Sequence, residues 1–135
     1  MNLRLGPATY AVSTAVTGGQ LVMPDGTTGL VKPATAGATT VLGVALSDAN
    51  PAGSTPTSPL NLGWSQPEVA VAYGPADVDL TYTTAAAFGE LLVADANGAV
   101  KAYTAASDTY DKVVARCTEP AGVAAAGVAR ARLLV

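Results

Sequence analysis

The sequence contains no histidine. Missing with it are the usual base near neutral pH, the commonest metal ligand and the central member of a serine or cysteine triad. There is one cysteine, Cys117, so no intramolecular disulfide can form. Charge is scarce: 13% of residues are Asp, Glu, Lys or Arg, about half the share in an average soluble domain. The seven Lys and Arg residues are scattered, the net charge is −3 and the pI is about 4.6. That balance speaks against a nucleic-acid partner, whose phosphates need clustered cations. Aromatic residues make up only 5%, too few for the stacking platforms of a sugar-binding barrel. No C-x-x-C, P-loop or G-x-G-x-x-G occurs. No continuous apolar stretch reaches the roughly 18 residues that suggest a membrane helix. The opening "MNLRLGPATYAVSTAV" sets Gly, Pro, Thr and Ser where a signal peptide needs an unbroken apolar segment, so synthesis in the cytoplasm is expected.

What is present is small and apolar. Half the residues are hydrophobic, and 14 Gly and nine Pro punctuate the whole chain, which excludes long helices and points to an all-β fold. A chain of 135 residues fits one domain with a real core. So neutral a surface favours association, because a lone monomer of this kind risks aggregation.

Strand signals recur along the chain. Thr9–Val16 is β-branched, Thr40–Leu46 is a short apolar run, and "EVAVAY" sets valines against small alanines. In "DVDLTYT", Val78, Leu80 and Tyr82 alternate with Asp77, Asp79, Thr81 and Thr83, the period of a half-buried strand. At the C-terminus Val128, Arg130, Arg132 and Leu134 share one face, and Ala129, Ala131, Leu133 and Val135 the other. Eight to ten short strands in one barrel or sandwich are expected across residues 1–135. Residues 1–10, broken by Gly6-Pro7, read as an irregular N-terminal arm, and 48–67 as a Pro-rich loop or insertion.

Two segments nearly match. "GQLVMPDGTTGLVKPAT" (19–35) aligns with "GELLVADANGAVKAYT" (89–104), pairing Leu21 with Leu91, Asp25 with Asp95 and, after a one-residue gap, Gly29 with Gly98 and Lys32 with Lys101. Each copy encodes strand, turn, strand, then a Thr/Ala-rich loop and a Val-rich strand. Either short hairpin signals recur by chance in a low-diversity β sequence, or the chain is a pseudo-duplicated barrel.

Chemistry is hard to find, and no catalytic, cofactor-binding or metal-binding residue is assigned. Cys117, in "VVARCTEP", reads as a buried inert thiol. Asp77 with Asp79, and Asp108 with Asp111, are the carboxylate pairs to consider for a divalent ion or acid–base work; a solvated face is the ordinary reading. "MPDGTTG" starts like an EF-hand loop but lacks the later ligands. Trp64 is either a local cap on the core or an interface anchor. Arg130 and Arg132 either guard an exposed edge or pair with carboxylates such as Asp77 and Asp79 across a subunit contact.

Taken together, "TGGQLVMPDGTTGLVKPATAGATTVLGVAL", "FGELLVADANGAVKAYTAASDTYDKVVARCTEPAG" and "VARARLLV" resemble the head-decoration, or capsid cement, proteins of tailed bacteriophages, from about Val16 to Val135. The stretch from Asn50 to Pro67 departs from that pattern. The resemblance implies a compact, β-tulip-like barrel, often trimeric, on the outer surface of the icosahedral head. It would bridge major capsid protein subunits at threefold or quasi-threefold positions, with no enzymatic activity, cofactor, nucleic acid or membrane. Residues 1–10 and 48–67 are the expected docking arms. Another phage part (tail tube, head–tail joining or fibre-base subunit) is the alternative, followed by a small ligand-binding barrel.

Overall fold

Ten short strands carry the fold, which the computed structural model describes for residues 7–52 and 66–135. They are β1 (Ala8–Ala11), β2 (Leu21–Pro24), β3 (Val31–Pro33), β4 (Gly43–Ala45), β5 (Glu68–Ala72), β6 (Ala76–Tyr82), β7 (Leu91–Ala94), β8 (Val100–Ala102), β9 (Val113–Cys117) and β10 (Gly127–Leu133). Two single 3-10 turns, Ala96–Gly98 and Tyr110–Lys112, are the helical elements among the described residues. The all-β expectation and the strand count both hold.

The strands form two sheets of five. The first runs β1-β5-β4-β2-β3; the second, a closed barrel, runs β6-β10-β9-β7-β8. These are one topology written twice, with β1 to β5 standing for β6 to β10. The closure repeats as well. Tyr82 pairs in parallel with Val100 to close the second unit, and Val12 bridges Val31 in parallel at the same place in the first.

Hydrogen bonds recur at equivalent positions of the two units. Gly19 N–H donates to Ala45 O and Gly89 N–H to Cys117 O; Asp25 N–H donates to Leu30 O and Asp95 N–H to Ala99 O. The Gln20 side chain accepts from Thr17 N–H, as Glu90 does from Ala87 N–H. Chance recurrence of a hairpin signal does not reproduce strand order, closure and turn bonding together. The chain is a duplicated five-stranded unit.

Each unit fills itself with alternate side chains. Val12, Val22, Val31, Ala45, Val69 and Val71 form the interior of the first unit; Tyr82, Leu92, Val100, Cys117, Ala131 and Leu133 lie in the larger cluster around the second. That cluster also takes in Leu21, Ala34, Ala38, Val41 and Val44, which leave the first unit by the outer face of β2 and β4. Burial on both faces is why β2 begins with two fully buried residues and why all of β4 is buried. Gly43 has a steric task there: a Cβ would lie 2.0 Å from Ala72 O on β5.

Two boundaries differ from the sequence reading. The stretch read as an arm, 1–10, already enters β1 at Ala8, where Ala8–Ala11 pairs antiparallel with Glu68–Val71; residues 1–6 lie outside the described residues. Of the loop 48–67, Ala49 is buried and bridges Val16, whereas 53–65, with Trp64, lie outside the description. The loop occupies the β4–β5 connection. In the second unit the same connection is the shorter 118–126, so the extra length is an insertion into one copy.

Candidate interaction surface

The residues singled out for chemistry serve the fold. Asp77 and Asp79 do share the exposed face of β6, as the alternation implied. Asp77 faces Arg132 across the β6–β10 register, and Asp79 faces Arg130. Arg132 Nε donates to Asp77 Oδ1 at 2.8 Å and Nη2 to Oδ2 at 3.2 Å, so the guanidinium holds that carboxyl below its usual range while the carboxylate raises Arg132. The Arg132–Asp77 pair therefore lies within one sheet, on its solvent face, rather than across a subunit contact.

Asp108 and Asp111 are local fasteners. The nearly buried Asp108 carboxylate accepts from Thr104 N–H at 2.9 Å, and Asp111 accepts from the Thr109 hydroxyl. Among the described residues no group of three or more His, Cys, Asp or Glu is placed to hold a metal ion. Cys117 is fully buried within the larger apolar cluster. Near it sits a polar anchor that alternation alone did not reveal: Tyr82 O–H donates to Arg130 O at 2.6 Å, and burial pushes its phenol pKa up.

The same carboxylate arrangement recurs at both hairpin turns. Asp95 accepts from the Thr83 hydroxyl at 2.5 Å and from Ala96 N–H at 2.9 Å, and both contacts lower its pKa. Asp25 is lowered by the Ser13 hydroxyl and by Lys32, whose Nζ lies 3.6 Å away. Ser13 and Thr83 occupy equivalent positions, as do the two aspartates.

The contact between the units is the most specific geometry in the molecule. Asn97 and Gly98 both take positive φ, 56° and 71°, which tightens the turn after β7. That tip presses on the first unit: Gly98 N–H donates to Ala34 O at 2.9 Å, and Gln20 Nε2 donates to Asn97 O at 3.0 Å. Gly37 N–H donates to Ala94 O at 3.0 Å alongside. A Cβ at Gly98 would meet Leu21 O at 2.7 Å and Gln20 Cβ at 2.8 Å. Sequence reading found Asn97-Gly98 as a turn but not as a docking point. The available signal was the exchange of Gln20 for Glu90 within otherwise matching copies, which gives only the first unit an amide donor.

The exposed surface carries isolated large apolar groups. Phe88, Tyr110, Val128 and Leu134 are exposed by 64%, 77%, 71% and 49%, and an open groove of about 410 Å³ runs between 86–88 and 120–124. Such groups fit protein contacts better than a small-molecule pocket, which would need convergent polar atoms.

The fold is all-β, two five-stranded units of like topology, one of them a closed barrel, packed on each other through unlike surfaces. No known family pattern matches the chain, and no curated protein matches it by sequence. Its fold is shared with the head fiber gp8.5 N base of bacteriophage phi29, at a TM-score of 0.60 and 13% identity over 94% of this chain and 92% of that one.

Proposed function

We propose that this chain is a structural protein of a tailed-phage virion, attached to the outside of the head and without enzymatic activity. The observation that carries the reading is the fold, shared over nearly the whole length with a protein described as the base of a phage head fiber. The sequence resemblance to head-decoration proteins supports the same location, and the charge-poor surface suits a protein held by contact.

Within that reading the fibre-base role has the more direct support, because the shared fold is that of a base. The decoration role stays beside it: a homotrimer bridging major capsid protein subunits at threefold or quasi-threefold positions, needing no cofactor, nucleic acid or membrane. Several subunit contacts per assembly raise retention by roughly 10²–10⁴ over one contact, so weak individual patches suffice.

Purified protein mixed with expanded, DNA-free heads of the phage that encodes it tests both roles. Co-sedimentation with density on the outer surface is the expected result. A rise in the heads' thermal tolerance selects decoration; binding without such a rise selects an anchoring base. Heads that bind no protein overturn the proposal.

A further inference from the structure

The two units meet through unlike surfaces. The first offers the outer face of β2 and β4, with Gln20, Leu21 and Val44; the second offers the turn after β7. A twofold arrangement would also seat Leu91 against the Gly29 turn. Instead nothing lies within 4 Å of a Cβ built on Gly29, and Leu91 remains half-buried. The contact is heterologous, so each unit keeps the complementary half unused. On the second unit this is the end of the outer face of β7 and β9 at Leu91 and Arg116, since Val93 further along it is fully buried. On the first it is the turn Asp25–Leu30.

The unused halves suit one another. Leu91, Tyr103 and Arg116 stand where the first unit has Leu21, Ala34 and Val44, by the shared pairing of Leu21 with Val44 and of Leu91 with Arg116 and by the matching bonds Ala34 N–H to Leu21 O and Tyr103 N–H to Leu91 O. Tyr103 stacks on the exposed Tyr110 with ring centroids 5.5 Å apart. Tyr and Arg are the residues that most often anchor interfaces. The opposing turn carries the partly exposed Asp25 carboxylate, paired with Lys32 at 3.6 Å in its own unit, so the match to the second unit's face is one of shape and position. Its Gly29 has φ +79°, close to the +71° of Gly98, and presents no side chain to an approaching strand. Tyr103 is larger than Ala34, so an aromatic contact replaces the close backbone approach found between the units.

We propose that the outer face of β7 and β9 at Leu91 and Arg116, with Tyr103 and Tyr110, docks the Asp25–Leu30 turn of a second copy of this chain, continuing between molecules the head-to-tail contact that joins the units within one. A repeated heterologous contact closes a ring or grows without limit; the trimer considered above is the closed form. The inference rests on the self-association in that reading and not on attachment to heads.

The test uses purified protein alone. Cys117 is buried and does not compete with introduced thiols. A chain carrying both Thr27→Cys and Thr104→Cys, the latter exposed beside Tyr103, is expected, on oxidation, to give disulfide-linked species larger than dimer. Either single variant alone should give none, and the two mixed should give dimers only. Tyr110→Asp changes an exposed residue, so it should leave the thermal midpoint in place while weakening assembly at least tenfold by analytical ultracentrifugation, or about one hot-spot side chain. A double variant that does not cross-link, Thr104→Cys that cross-links to itself, or a native chain that stays monomeric at high concentration would each overturn this contact. Head binding by such a monomer would leave the proposed attachment standing.

Discussion

Gly98 concentrates the physics of this molecule in one residue. Its φ of +71° belongs to the region where a Cβ is costly, and the space a Cβ would fill is already taken by Leu21 O and Gln20 Cβ. Gly29 shares the conformation without the crowding. Gly29→Ala should therefore cost only the backbone term, about 1–2 kcal/mol. Gly98→Ala should add the cost of overpacking and of displacing the Gly98–Ala34 bond, for a total of about 3–5 kcal/mol. Urea unfolding of the two variants measures the difference. Equal losses would mean that the turn does not press on the first unit.

At the scale of elements, each hairpin turn is closed by an aspartate whose carboxyl is held below its ordinary range: Asp25 by Ser13 and Lys32, Asp95 by Thr83 and Ala96 N–H. Asp77 is lowered by Arg132 across β6 and β10. A group with a depressed folded pKa stabilises above its unfolded value and loses that contribution as pH falls through the folded one. The chain has no histidine, so the unfolding midpoint should be flat from about pH 5 to 7 and fall below about pH 4. A midpoint that moves within the neutral range would contradict this assignment; thermal melts across the series decide it.

The elements also show which parts of the fold were legible in the sequence. The faces of β6 and β10 could be read because one face meets water, so period two survives: Leu80, Tyr82, Ala131 and Leu133 buried, Asp77, Asp79, Arg130 and Arg132 exposed. The duplication was legible because both copies need the same glycine before the strand, the same aspartate at the turn and the same lysine after it. β4 was read too long, Thr40–Leu46 against Gly43–Ala45, because burial against both the first interior and the second unit erases alternation. The strand read at Thr9–Val16 starts one residue earlier and ends sooner, at Ala8–Ala11; the arm 1–10 was drawn too far because Gly6-Pro7 suggested a break, whereas pairing with β5 decides the matter. The interaction surface was least legible, since Gly98 and Gln20 acquire their roles only when two distant turns meet.

For the whole molecule, duplication raises the question of whether two units unfold as two bodies or one. Leu21, Ala34, Ala38, Val41 and Val44 belong to the first unit yet lie in the second unit's cluster. Opening either unit strips cover from the other, and the cross-unit bonds of Gly98, Gly37 and Gln20 break with it. One cooperative transition follows. Cys117, the chain's one thiol, is fully buried inside the second unit and serves as its reporter. Val22 is fully buried in the first unit's own cluster, so Val22→Ala should cost about 2 kcal/mol by loss of packing. If the units open together, that loss appears in the second unit as a roughly 30-fold faster reaction of Cys117 with a thiol reagent under native conditions. Leu92→Ala, at the matching position of the second unit, should accelerate labelling in the same proportion to its own stability loss. A Cys117 rate untouched by Val22→Ala, in a chain whose overall stability has fallen, would instead show that the units yield separately.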